Sequence, residues 1–272
     1  IEACRYCPHY FVEKNWDDHY GHINTDGNPK QGPREFQFEI GNPCNHRCDF
    51  CWHWSKSLLE NGHPYEDWKD WSKQIIEWDI FKSIIDDLHE LGGCELISIS
   101  GGGEPFVIKD MMKRLEYIKS KGFQIKLFTN FSIISKKDVK KLVEIGVDEI
   151  HINISAGKKE TYSELRGIKE KEWDDLLMRL SWLKGYKNNN KLPLVRNLII
   201  LTNTNIEEVE EMFIMSNRMK LDSIYFRVMT PHELYNKLLP TKKQINKFIN
   251  KVPIMSKKYN VDYWNELEHT RS

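Results

Sequence analysis

No run of the 272 residues approaches the ~18–20 consecutive apolar residues of a membrane span, so no transmembrane helix is expected. Net charge of one sign is missing too. Forty Lys and Arg face forty Asp and Glu, which removes the usual electrostatic argument for nucleic-acid binding. The opening Ile1-Glu2-Ala3-Cys4 lacks the basic, apolar and small-residue progression of a signal peptide, so a cytoplasmic location is expected. It also lacks an initiator Met, and residues preceding Ile1 are expected in the natural chain. Internal repeats are absent, and the one low-complexity tract, Lys187–Lys191, reads as an exposed loop. What is present, 40% hydrophobic and 29% charged residues, excludes wholesale disorder and suffices for a sizeable core.

Six cysteines would allow three disulfides, but such frameworks belong to short secreted chains that cannot build a core. Here they cluster as Cys4-x2-Cys7 and as Cys44-x3-Cys48-x2-Cys51, a spacing suited to metal. Cys94, at the start of the apolar run Leu96-Ile97-Ser98-Ile99, reads as an inert buried thiol.

The hydrophobic pattern alternates strands and helices. Strands are expected at Glu35–Ile40, Glu95–Ser100, Gln124–Thr129, Glu149–Ser155, Asn197–Thr202 and Ser223–Met229. Helices are expected at Ile80–Leu91, Lys109–Ser120, Lys136–Ile145, Lys171–Leu183, Ile206–Met219 and Lys242–Met255, before an aromatic tail at Tyr259–Trp264. Strict alternation implies a parallel sheet with right-handed crossovers. In strand four Ile150, Ile152 and Ile154 alternate with His151, Asn153 and Ser155, and strand six repeats the pattern with Tyr225 and Arg227 on the polar side. One apolar and one polar face suit a barrel with an internal site. The expected architecture is α/β: an irregular extension over 1–34, a partial (β/α)6 TIM-type barrel over 35–235, and a C-terminal helix and tail over 236–272 packing on it.

In such folds chemistry sits on the loops after the strands. Strand one is followed by Asn42-Pro43-Cys44-Asn45-His46-Arg47-Cys48-Asp49-Phe50-Cys51, strand two by Gly101-Gly102-Gly103-Glu104-Pro105, and strand three ends in Thr129-Asn130. Three thiolates on one loop suit a structural zinc closed by His46 or His53, or three corners of a [4Fe–4S] cube. Spacing alone leaves both open.

Cys44, Cys48, Phe50 and Cys51, with Gly102-Gly103-Glu104-Pro105 after the next strand, resemble the radical S-adenosylmethionine (SAM) superfamily, whose signature is C-x3-C-x-aromatic-C followed by GGE and Pro. The resemblance implies that the three cysteines hold a [4Fe–4S] cluster whose open iron chelates SAM. Phe50 then lies beside the adenine, and Gly102, Gly103 and Glu104 meet the methionine ammonium. Ser155 resembles the ribose-contacting position, with Asn153 the inward residue before it, although Ser155-Ala156-Gly157 lacks the S-x-D-G carboxylate of peptide-modifying relatives. Arg166 resembles an arginine that pairs with the SAM carboxylate; its bland reading is an exposed helix-start arginine. The implied chemistry is reductive cleavage of SAM to a 5′-deoxyadenosyl radical that abstracts hydrogen from a peptide or protein side chain. The implied partner is a flavodoxin- or ferredoxin-like electron donor.

Cys4 and Cys7 look like the upstream cysteines of twitch-domain proteins, relatives of the SPASM group, which would make them half of an auxiliary Fe–S or zinc site. With His19-x2-His22 they also read as a zinc-finger-like pattern, and free thiols are a third reading. Trp52, Trp54, Trp68 and Trp71 lie in an unusually long connection after Cys51, read as a lid or a buried cap. Two other functions stay open: radical chemistry on a nucleoside, RNA or small molecule, and a zinc-stabilised non-catalytic binding module.

Overall fold

A computed structural model describes residues 32–63, 66–187, 191–229 and 233–269. Cys4, Cys7, His19 and His22 lie outside them. Seven strands, β1 (Glu35–Phe38), β2 (Leu96–Ile99), β3 (Gln124–Thr129), β4 (Glu149–Asn153), β5 (Leu194–Leu201), β6 (Ser223–Val228) and β7 (Asp262–Asn265), join in chain order, each parallel to its neighbours. β1 and β7 are the two edges, so this is an open, partial barrel.

The seventh strand is where the sequence suggested only an aromatic tail. It exists because its residues have somewhere to go on both faces. Tyr263 packs into the apolar cluster around Phe248 and Val252, while Trp264 stacks on Tyr225 of β6 at 4.3 Å. Two short helices, α1 (Lys56–Asn61) and α2 (Trp68–Trp71), occupy the long connection after β1. The covering helices are α3 (Trp78–Leu91), α4 (Met111–Ser120), α5 (Lys136–Ile145), α6 (Lys159–Arg166), α7 (Lys171–Lys187), α8 (Val209–Met219) and α9 (Lys242–Tyr259); the four-residue α10 (Glu266–His269) follows β7. Among the described residues no helix is long and apolar enough to cross a membrane.

Local chemistry sets several boundaries. Ser135 caps α5 by accepting from the Asp138 N–H, and Gly146 ends it at a left-handed φ of 77°. Thr241 and Gln244 form a reciprocal capping box on α9. The periodic residues then meet in layers: Ile150, Ile152 and Ile154 of the β4 segment are fully buried against the helices, as the alternation requires. Lys187 differs from expectation. It is the last residue of α7, nearly buried, with Nζ 2.5 Å from Asp222, whose carboxylate also accepts from the Val195 N–H.

Candidate active site

The loops after β1 to β4 converge at the carboxyl ends of the strands around one cavity of about 510 Å3. Cys44, Cys48 and Cys51 line it with Phe50, Gly103, Glu104, Asn153, Arg166 and Arg227. Cys44 and Cys48 are free thiols.

Burial dominates the thiols' chemistry. It pushes Cys44 up to about 12 and Cys51 up to about 11, and raises Cys48 against the opposing pull of the Arg166 guanidinium. A bare thiolate trio is therefore costly here, and a bound cationic metal reverses that balance by deprotonating its ligands. Two donors already point at sulfur: the Trp54 backbone N–H at 3.3 Å from Cys51 Sγ and Arg166 Nη1 at 3.5 Å from Cys48 Sγ. Such bonds tune iron–sulfur ligands. Among the described residues no three Cys, His, Asp or Glu side chains converge on one single-ion position. Cys44, Cys48 and Cys51 share one cavity lining, and three thiolates are the donor set of a cube with one open iron.

The cysteine loop is tied down by its neighbours. The Arg47 N–H donates to Arg166 O at 3.2 Å and the Asp49 N–H to Leu165 O at 2.9 Å, docking it on the end of α6. Asn45 Nδ2 donates to Ser132 Oγ at 2.7 Å, Ser132 Oγ donates to Asn130 Oδ1 at 2.7 Å, and Asn130 Nδ2 donates back to Asn45 Oδ1 at 2.9 Å. That ring joins the β1 loop to the β3 loop. Trp54 Nε1 is shared between Asn42 O and Gly102 O, both at 3.0 Å, and Arg47 stacks over the indole at 4.2 Å. The tryptophan thus bridges the cysteine loop to the glycine loop.

The glycines have a packing reason beyond ligand approach. A Cβ on Gly102 would stand 2.7 Å from Asn42 Oδ1, and one on Gly103 2.3 Å from Pro43 O. Glu104 follows, nearly fully buried. Its carboxylate accepts from Thr129 Oγ1 at 2.5 Å, the Asn130 N–H at 2.6 Å and the Phe106 N–H at 3.3 Å. Burial nonetheless pushes it up to about 7, because these donors and Arg166 only partly offset desolvation.

Arg166 is 2% exposed and sits in the last turn of α6, an element the sequence pattern did not reveal, so the reading of an exposed helix-start arginine is set aside. Its Nη2 donates to Asn153 Oδ1 at 2.6 Å, whereas Nε is buried without a partner. Ser155, in the left-handed region at φ 53°, donates its hydroxyl to Asn153 Oδ1 at 2.7 Å and accepts from the Ile200 N–H at 3.0 Å. The ribose-like position therefore serves first as a β4–β5 clamp. Phe50 is nearly buried, with the Arg166 guanidinium 5.7 Å from its ring centre. His46 is buried, has an unpartnered Nδ1, and is lowered to about 3 by burial, then by Arg166 and Arg47.

Of the tryptophans, Trp54 is buried, Trp68 and Trp71 stack on each other at 5.7 Å, and Trp52 lines the cavity at 48% exposure. Cys94 is half-buried, 3.7 Å from Leu96 O and away from the cavity. Sequence reading missed the structural roles of Asn45, Ser132 and Trp54. The only signal was their place at the strand ends. It also missed Glu208, which accepts from the Gly157 and Lys158 N–H groups and from Thr161, fixing the turn into α6.

Residues 38–215 match the family model described as Radical SAM superfamily. The chain is 28% identical over 116 residues to the tungsten-containing aldehyde ferredoxin oxidoreductase cofactor-modifying protein of Pyrococcus furiosus, covering 43% of this chain and 29% of that protein. The match thus spans under a third of that relative's length. Among solved structures, Streptococcus suis SuiB bound to S-adenosylmethionine superposes with a TM-score of 0.69 at 16% identity, over 94% of this chain and 55% of that one. Native anSMEcpe with bound AdoMet gives 0.68 at 16% identity, over 85% and 64%. At such identities the likeness establishes the fold.

Proposed function

The chain belongs to the radical SAM superfamily, and we propose that it cleaves SAM reductively at a [4Fe–4S] cluster held by Cys44, Cys48 and Cys51, and that its substrate is a peptide or protein side chain. Bound there, the cluster and SAM would supply one-electron chemistry for hydrogen abstraction from the substrate, with the electron delivered by an external donor. The protein's part is positioning. Of the expected contacts, Gly103, Glu104, Phe50, Asn153 and Arg166 line the cavity, whereas Gly102 and Ser155 do not. Gly103 and Glu104 would offer the methionine ammonium close backbone and a carboxylate; Arg166, steadied by Asn153, would offer the carboxylate end a guanidinium; Phe50 would offer the adenine an apolar ring; Asn153, held by Ser155 behind it, would serve the ribose.

The observation that carries the substrate class is the size of the cavity. About 510 Å3 is at the modest end of the ~300–1,000 Å3 of single-ligand sites, yet it must take cluster and SAM together. A substrate then enters with only a small reacting group, its bulk outside the mouth, as a side chain on a peptide does. In support, SuiB has been solved bound to its precursor peptide SuiA. An electron donor of the flavodoxin or ferredoxin kind belongs to the same reading.

Anaerobic reconstitution tests it. Iron, sulfide and 5′-deoxyadenosine production are expected in the wild type and lost in Cys48→Ala. For the substrate, uniformly deuterated cell extract is split into peptide, nucleoside and small-metabolite fractions. Deuterium should reach 5′-deoxyadenosine from the peptide fraction; transfer from another fraction overturns the peptide assignment.

A further inference from the structure

We infer that Arg227 is the substrate-anchoring position of this cavity, and that the substrate presents a carboxylate to it; the inference rests on the site read above. β6 turns Ile224 and Phe226 outward into the core and Arg227 inward, where its side chain remains 48% exposed. Among the described residues, the other carboxylates and the other guanidinium lining the cavity each have protein hydrogen-bond or ion-pair partners. Glu35 pairs with Lys126 at 2.8 Å, Glu104 takes three donors, and Arg166 bonds Asn153 and Cys48. The nearest carboxylate to Arg227 is Glu266 on α10, with Oε1 3.8 Å from Nη2, beyond hydrogen-bond reach. Its other oxygen is held by the Val228 N–H at 2.8 Å.

Among the described residues, then, the Arg227 fork is oriented by charge while its donors remain available. A planar fork with free donors matches a carboxylate bidentately, and water exclusion strengthens the pair. The wall around it is apolar: Ile200 is its β5 register partner, and Leu198, Phe128 and Met229 line the same cavity. This favours a carboxylate on an apolar stem, such as an acidic side chain or a C-terminal carboxylate.

The probes are phenylacetate, its neutral isostere phenylacetamide, and phenyl phosphate, titrated calorimetrically into the reconstituted full chain under anaerobic conditions, without turnover. Wild type should prefer the acid to the amide by at least tenfold. Arg227→Gln should abolish that preference, Arg227→Lys should keep part of it, and Glu266→Gln should raise it by removing the competing charge. SAM affinity is measured alongside. Equal binding of acid and amide, a preference for phenyl phosphate over phenylacetate, or an Arg227→Gln variant that loses SAM as it loses the acid would each overturn the assignment. Failure of the radical SAM reading would instead appear as absent SAM cleavage in wild type, which these titrations do not measure.

Discussion

Replacing Gly103 by alanine separates a site built by backbone packing from one built only by its side chains. The new Cβ would stand 2.3 Å from Pro43 O, 2.6 Å from Asn42 C and 2.7 Å from Asn42 O. All three are backbone atoms, so no side chain can swing aside. The Glu104 N–H bond to Pro43 O, 2.9 Å, pins the two loops together at the same point. The loops must therefore part by roughly 1 Å before ordinary van der Waals contact returns. Overpacking of this kind costs about 1–3 kcal/mol, which for a chain of this size lowers the melting temperature by roughly 2–10 °C. Because Cys44 follows Pro43 directly, the displacement carries with it a cysteine proposed to hold the cluster, and misplacement by ~1 Å can cost about 100-fold in rate. Gly185→Ala is the matched control. Gly185 lies inside α7 with nothing within 4 Å of where a methyl group would sit, so alanine should stabilise by about 0.5–1 kcal/mol. Thermal unfolding and 5′-deoxyadenosine formation, measured on both variants, decide it. A Gly103→Ala protein with wild-type melting and wild-type SAM cleavage refutes the packing argument.

Three other outcomes are expected. Trp54→Phe keeps one aromatic ring but removes part of the buried indole and the donor shared by Asn42 O and Gly102 O; it should cost about 1–3 kcal/mol in a denaturant titration and weaken SAM about tenfold while iron content holds, whereas loss of iron with SAM affinity intact would contradict it. Glu104, raised by burial to about 7 from an ordinary 4.5, contributes stability that is fully present below pH 4.5 and lost as pH rises through about 7. Its charged form is also what an ammonium requires. From pH 6 to 8 the SAM-free protein should therefore melt progressively lower while SAM affinity rises, and both trends should flatten in Glu104→Gln; persistence of either trend counts against Glu104. Glu208→Ala leaves the Gly157 and Lys158 N–H groups and Thr161 without their acceptor, a loss of about 2–4 kcal/mol by denaturant titration; a loss under about 1 kcal/mol would show that water replaces the carboxylate.

Much of the fold was legible because strand and helix periods alternate without interruption. Gln124–Thr129 and Lys136–Ile145 fall where the pattern puts them. β7 was not legible: its four residues carry no clear alternation, and their strand character comes from Tyr225 and the α9 cluster on either side. α6 was hidden for a related reason. Its pattern is short, and it is fixed by Glu208 at its start and by the cysteine loop at its end, both contacts distant in sequence. At the site, the cysteines and the glycine loop were readable because their chemistry requires those residue types in order. Asn45, Ser132 and Trp54 were not, because an Asn or a Trp in a loop acquires its meaning only from which carbonyl or hydroxyl the fold brings to it.

The hydrogen bonds around the cavity sort its residues by what they serve. Asn45, Asn130 and Ser132 direct their donors at one another, Trp54 shares its indole N–H between two loop carbonyls, and Ser155 commits its hydroxyl to β4 and β5. These groups fix the loops before any ligand arrives, which is what preorganisation requires. Among the described residues the groups left over include Arg166 Nε and His46 Nδ1, both buried without partners, and the Arg227 fork, half-exposed and 3.8 Å from Glu266. Native proteins satisfy nearly all buried polar groups, so a buried donor without a partner marks where a ligand atom belongs. On the proposed reading Arg166 Nε belongs to the SAM end of the cavity, while the half-exposed Arg227 fork on β6, to which this burial argument does not extend, belongs to the substrate end. The residues joining the loops are expected to control how well the cofactor is held, and those left over to control what is held.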